Sequence, residues 1–245
     1  MRSILGDLGL ESPLVGTAVT AHIMSSGPDG FRCLVYDVGT LPPREALLPR
    51  ADAYDLPEGA PAPELAAGDT VIALVVGVSG ATGTERLMLS ATAPELVERV
   101  LAGFVDEILR GKVVTKAVAR VAGTKTKVAV APTTKGVDAR GACIGRGASR
   151  LKGAEKLLNR AFGRERLEII EYSGDPVTFM TNAMNPVQVT EVLIRGDDAV
   201  VAVEEHQLSG GIGEGGLNAQ LAGRLTGHYV RVVKAGTDLR ALLGP

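Results

Sequence analysis

Tryptophan is absent from the 245 residues, cysteine occurs twice, histidine three times, and aromatic side chains are confined to four Phe and four Tyr. Cys33 and Cys143 have no second cysteine near them, which excludes a disulfide framework and a thiolate zinc site and leaves both as small buried apolar residues. His22, His206 and His228 are far apart, without the HxxxH spacing of a metal pair, and no Ser stands in a nucleophile-elbow pattern. Glu204, Glu205 and His206 are adjacent, and the simplest reading is the polar start of a short helix. The chain therefore reads as a non-enzyme, with no cofactor and no metal. Long apolar runs are missing too: Val71 to Val78 is the longest, far below the roughly 18 residues of a membrane span. Met1 to Leu14 lacks a basic segment followed by an apolar one, so no secretory signal is read. A cytoplasmic chain with no membrane partner is expected.

What is present is enough apolar material for cores, 45% of residues, in a length that allows one large domain or two to three small ones. The net charge of −2 hides segregation. Residues 1–92 balance to −6, residues 93–110 to −2, residues 111–172 to +9 and residues 173–245 to −3. A block at +9 inside an acidic chain fits a polyanion partner, and it equally fits a solvated face that keeps the protein soluble.

The first module reads as all β. Strand-like runs at Val15 to Met24, Phe31 to Val38, Thr70 to Val78 and Leu87 to Ser90 are separated by the turn clusters Ser25 to Gly30 and Gly80 to Gly83. The Pro-rich insert Leu56 to Pro63 reads as an extended surface loop. These four runs, in a module whose length suits five short strands, predict a small barrel over residues 14–92, after a short extension at 1–13. At Thr92 a capping-box pattern with Glu95, and Pro94 in the first turn, open a helix. Its apolar pairs run from Leu96/Val97 to Ile108/Leu109, and Gly111 stops it.

From there one order of elements, αββααβ, occurs twice. The first copy, 93–173, has strands at Val113 to Val121, Lys127 to Ala131 and Arg166 to Tyr172, with a short helix at Val137 to Ile144 ahead of the turn Gly145-Arg146-Gly147-Ala148 and a second helix. The second copy, 174–236, has a helix at Pro176 to Met184 and strands at Val187 to Ile194 and Ala199 to Val203. A short helix at Glu205 to Ile212, the turn Gly213-Glu214-Gly215-Gly216, a helix ending at Gly227 and a strand at Tyr229 to Val233 complete it. Residues 237–245 are left as a tail. A repeat of a whole element order is harder to obtain by chance than any single motif.

A Gly turn between two helices lets a sugar-phosphate backbone approach closely, because Gly has no Cβ and accepts unusual φ, while the amides opening the next helix face phosphate oxygens. Gly213 to Gly216 fits the GxxG loop of KH domains, weak alone and strong inside αββααβ. Gly211 to Gly216 also spells GxGxxG, with Asp238 22 residues on. A dinucleotide fingerprint follows its strand directly, whereas Glu204 to Gly210 intervene here, and too little chain follows Asp238 for a doubly wound sheet.

Barrel, KH and KH in that order, with Glu45-Ala46-Leu47-Leu48-Pro49, Lys125-Thr126-Lys127-Val128-Ala129-Val130, Gly141-Ala142-Cys143-Ile144-Gly145, Asp175-Pro176 and Leu225-Thr226-Gly227, strongly resemble the S1-KH1-KH2 core of the NusA family from about Leu14 to Ala235. The resemblance implies a multidomain fold, an S1/OB-like barrel followed by two tandem type II KH domains. It also implies a transcription termination and antitermination factor that binds extended single-stranded RNA, mainly through the KH pair. Family members carry a further N-terminal domain that docks on RNA polymerase; the 13 residues before Leu14 are too few for it, so a core lacking that domain is expected. RNA polymerase is then a partner reached directly or through another protein. The RNA-binding residues expected are Arg140, Gly145, Arg146, Gly147, Arg150 and Lys152 in the first copy, and Gly213, Glu214, Gly215, Gly216 and Asn218 in the second.

Three positions depart from the pattern. Ala148 stands where a Gly is wanted, at a steric cost if the position needs positive φ, Glu214 replaces a usual basic residue and repels phosphate, and Gln220 stands where the family often has Arg. The basic first copy is therefore expected to be the electrostatic anchor, with the second extending the track. Phe31, Tyr36, Tyr54 and His22 offer flat rings to the acidic barrel, as stacking platforms or as core. The second class of function is a protein-interaction module whose KH folds have little RNA affinity.

Overall fold

The structure is a computed structural model, and residues 14–36, 42–55, 65–81, 84–161 and 163–243 are described. The extension 1–13, the insert Leu56 to Pro63 and part of the Gly80 to Gly83 turn lie outside them. The chain forms two compact units. One takes in residues up to 104 with 121–125 and 152–166, and the other takes in 105–120, 126–151 and 167–245.

In the first unit, β1 (Ala18–Gly27), β2 (Gly30–Val35), β3 (Arg44–Pro49), β4 (Thr70–Ser79) and β5 (Arg86–Ser90) close a barrel in the order β1-β2-β3-β5-β4. Alternation builds it: Val19, Ala21 and Ile23 point inward from β1 to meet Cys33, Val35, Leu48, Val75 and Leu89. Burying one such Leu or Ile contributes roughly 1.5–3 kcal/mol. Phe31 belongs to this core at 1% exposure, with the Arg50 guanidinium 5.1 Å over its ring, whereas Tyr36 is 57% exposed and meets His22 edge to face at 4.9 Å. Tyr54 packs on the core's margin. Gly30, at φ +135°, lets β2 cross β3 so closely that a Cβ would run into the Leu48 carbonyl. The strand β3, unplaced by periodicity, pairs antiparallel with β2 and parallel with β5 to close the ring, and α1 (Arg50–Ala53) follows it.

The single helix expected after Thr92 is two: α2 (Pro94–Ala102) and α3 (Asp106–Leu109). Gly103 and Phe104 turn the chain, with the Phe104 N–H on the Leu101 carbonyl, and Val105 is extended and fully buried. The stripe therefore ends early, and Leu109 is 73% exposed. The expected capping box does not form. Ala93 is the N-cap, and its N–H donates instead to Ser90 Oγ at 3.1 Å.

The first KH fold continues through β6 (Val113–Val121), β7 (Lys125–Pro132), α4 (Ala139–Ile144), α5 (Ser149–Leu158) and β8 (Arg166–Glu171), its sheet ordered β6-β7-β8. The second comprises α6 (Pro176–Ala183), β9 (Val189–Arg195), β10 (Asp198–Val203), α7 (Leu208–Ile212), α8 (Leu217–Thr226) and β11 (Tyr229–Lys234). Here β10 is central, antiparallel to β9 and parallel to β11, which is left as an edge. Asp175 caps α6 with its carboxylate on the Thr178 N–H, and Pro176 occupies the first turn. The expected tail contains a helix, α9 (Leu239–Leu242), because Leu239 buries against Val200 and Ala202 of β10. Asp238, the acid of the dinucleotide pattern, is the N-cap of α9.

Candidate nucleic-acid interface

Both Gly turns adopt one backbone form, 68 positions apart in sequence. Gly145 (φ 72°, ψ 169°) and Gly213 (φ 78°, ψ 166°) leave the preceding helix in a conformation that L side chains rarely adopt. Gly147 (φ 61°) matches Gly215 (φ 58°), and Ala148 (φ 61°) matches Gly216 (φ 79°). Ala148 is the one non-Gly residue with positive φ among those described. The departure noted in sequence is thus accommodated by backbone strain, with the turn geometry kept. Each turn opens a ten-residue helix, α5 or α8, whose first amides have no intrahelical acceptor.

The residue two places after each turn reaches back to brace it. Arg150 is half-buried; its Nη1 donates to the Ala142 carbonyl at 2.8 Å and to Glu107 Oε2 at 2.8 Å, and its stem lies where a Cβ on Gly145 would sit. Asn218, in the matching position, is 2% exposed, its Nδ2 donating to the carbonyls of Gly211 (3.2 Å) and Met184 (3.4 Å). A Cβ on Gly213 would lie 2.6 Å from the Asn218 amide nitrogen. Asn218, expected to touch RNA, is buried at the base of the turn with its side-chain amide on the turn's own backbone.

Arg146 and Glu214 occupy equivalent positions, both exposed, with opposite charge. Arg140 on α4 is exposed, with its Nε donating to the Ile169 carbonyl at 3.2 Å, and Lys152 is exposed in the first turn of α5. Within the basic block, Lys127 is fully buried and ion-paired to Glu168, so the exposed charge is smaller than the count in sequence.

Beside the second turn runs a groove of about 1010 Å³ between α8 and the edge strand β11. Ile212, Gly216, Gln220 and Arg224 line one wall, and Tyr229 and Arg231 line the other. Gly223 allows the two walls to meet, since a Cβ there would lie 2.5 Å from the His228 carbonyl. Tyr229 (77% exposed) and Arg231 were not singled out from sequence; their alternation with the half-buried Val230 and Val232 was the available signal. Both cysteines are buried, and desolvation pushes each thiol up to about 11. Among the described residues no cluster of His, Cys, Asp or Glu could hold a metal ion, and no helix is long and apolar enough to cross a membrane.

A closed five-strand barrel followed by two αββααβ folds with glycine turns between consecutive helices defines a barrel and tandem-KH protein. Residues 91–172 match the NusA-like first KH domain and residues 176–239 the NusA-like second KH domain. The transcription termination/antitermination protein NusA of Mycobacterium tuberculosis is 38% identical over 168 residues, 67% of this chain and 47% of that protein. The NusA of Halalkalibacterium halodurans is 35% identical over 203 residues (82% of this chain, 50% of that protein), and that of Bacillus subtilis 35% over 176 residues (71% and 46%). With both KH domains in the order of that protein, the chain belongs to the NusA family. It spans about half the length of the curated relatives it matches.

Proposed function

We propose that the chain is a cytoplasmic, non-enzymatic RNA-binding factor of transcription termination and antitermination, taking an extended single strand along its two KH turns. The observation that carries this reading is the identity of the two turns in backbone form, each at the mouth of a helix able to face phosphate. In the first domain Gly145 and Gly147 admit the backbone, while Arg140, Arg146 and Lys152 supply positive charge and Arg150 keeps the turn in shape. In the second, Gly213, Gly215 and Gly216 continue the track past Glu214 into the groove, where Arg224 and Arg231 supply positive charge and Tyr229 offers a ring for stacking. RNA polymerase is a partner reached directly or through another protein.

The alternative, a protein-interaction module, is favoured by the acidic barrel and by Glu214. Fluorescence anisotropy with single-stranded RNA separates the two. Arg146→Glu with Lys152→Glu is expected to weaken binding more than Gly213→Asp, even though the latter forces a side chain onto Asn218. The reverse order would move the main anchor to the second domain.

A further inference from the structure

Lys127 presents a charge with no access to water. Its side chain, on β7 of the first KH fold, is 0% exposed, and Nζ donates to Glu168 Oε2 on β8 at 2.6 Å and to the Asn185 carbonyl at 2.8 Å. Asn185 lies between α6 and β9 of the second KH fold, so one ammonium joins a carboxylate of one domain to a backbone oxygen of the next. Asn182 Nδ2 to the Glu171 carbonyl (3.0 Å) and Arg224 Nη1 to the Arg120 carbonyl (3.5 Å) also cross this junction, and Lys127 differs from both in being charged and fully buried.

Desolvating an ammonium is costly, and a buried pair regains little of that cost relative to an apolar pair of the same volume. Val128, Ala129 and Val130, its neighbours on β7, are buried apolar residues, so the site has no general need for charge. What a directed donor adds is one preferred arrangement, since any shift of Asn185 takes one hydrogen bond from a buried ammonium that stays paired to Glu168 and takes the donor from a carbonyl.

We propose that Lys127 is a positioning residue that locks the second KH domain onto the first, so that the turns at 145–148 and 213–216 take one continuous strand. The consequence for RNA rests on the function proposed above; the lock itself does not.

The test uses the full chain carrying Lys127→Met with Glu168→Gln, which removes the charge from both partners, with circular dichroism to verify folding. Spin labels at Thr134→Cys and Glu191→Cys, both exposed and one on each domain, report the interdomain distance, and the buried Cys33 and Cys143 stay unlabelled. A narrow distribution in the parent should broaden in the variant. With about four nucleotides held per KH turn, RNA of about 12 nucleotides should lose about tenfold or more in affinity, while RNA of about four nucleotides is unaffected. An unchanged distance distribution overturns the lock, as does a parallel loss on both RNA lengths without broadening. Broadening with an unchanged length dependence overturns the alignment of the turns. Broadening in a chain whose parent binds neither RNA upholds the lock and overturns the RNA reading.

Discussion

Replacing Ala148 by Gly should stabilise the protein, and replacing Gly216 by Ala should destabilise it by a similar amount. Ala148 is held at φ 61°, where an L-residue with a Cβ costs about 1–2 kcal/mol. Glycine removes that cost but returns about 0.4–1 kcal/mol through the greater freedom of its unfolded chain. The net expectation is a gain of about 0.5–1 kcal/mol. Gly216 is the clean reciprocal, because a Cβ there meets nothing within 4 Å and only the backbone contributes. Gly213→Ala is the contrasting control, since its Cβ would lie 2.6 Å from the Asn218 nitrogen and add a clash. Thermal unfolding reads the effect: for a domain of about 150–250 residues, 1 kcal/mol moves Tm by about 2–4 °C. Amide exchange across residues 145–152 and 213–220 localises it. If Ala148→Gly lowers Tm, or if both exchanges move it in one direction, the equivalence of the two turns is refuted.

Three further expectations follow from particular contacts. Gly30→Ala should destabilise the barrel by more than about 2 kcal/mol in urea unfolding, because positive φ and the Leu48 carbonyl both oppose it; a change within about 0.5 kcal/mol contradicts the close crossing. Cys33 and Cys143, with thiols near 11, expose a thiolate fraction on the order of 10⁻³ at pH 8, so a thiol reagent should react only as fast as the chain opens; rapid native labelling contradicts their burial. Asp175 is held below the usual carboxylate range by the hydroxyl and then the N–H of Thr178. Its contribution is present above the ordinary carboxylate range and lost as pH falls through the lowered value, so Tm curves of the parent and Asp175→Ala should converge in acid.

How much was legible in sequence depended on the range of the interaction. The repeat was readable because Gly145, Gly213 and the apolar periods around them are local, and so were the alternation in β1 and the continuous apolar runs of β4 and β10. The strand β3 was not: its six residues, REALLP, carry too little alternation, and it is held by pairing with β2 and β5. The break after Ala102 follows from tertiary packing, with the Phe104 ring where a Cβ on Gly153 would sit. Charges deceived for the same reason. Lys127 and Arg150 count as basic in sequence, but their partners Glu168 and Glu107 lie 41 and 43 positions away. The burial of Asn218 is set by the turn it follows, which draws its side-chain amide inward to the Gly211 carbonyl. Tyr229 and Arg231 carry little signal in sequence because a groove needs two elements, and each alone is ordinary.

On the function proposed above, the two KH turns hold a continuous RNA strand mainly through phosphate contacts anchored in the first domain. Anisotropy titration of the parent with single-stranded RNA of about 12 nucleotides across a range of salt concentrations tests it most directly. Log affinity should fall linearly with log salt, by about 0.7 for each phosphate contacted, and Arg146→Glu with Lys152→Glu should flatten that slope. No binding at low salt, or binding with no dependence on salt, would contradict it.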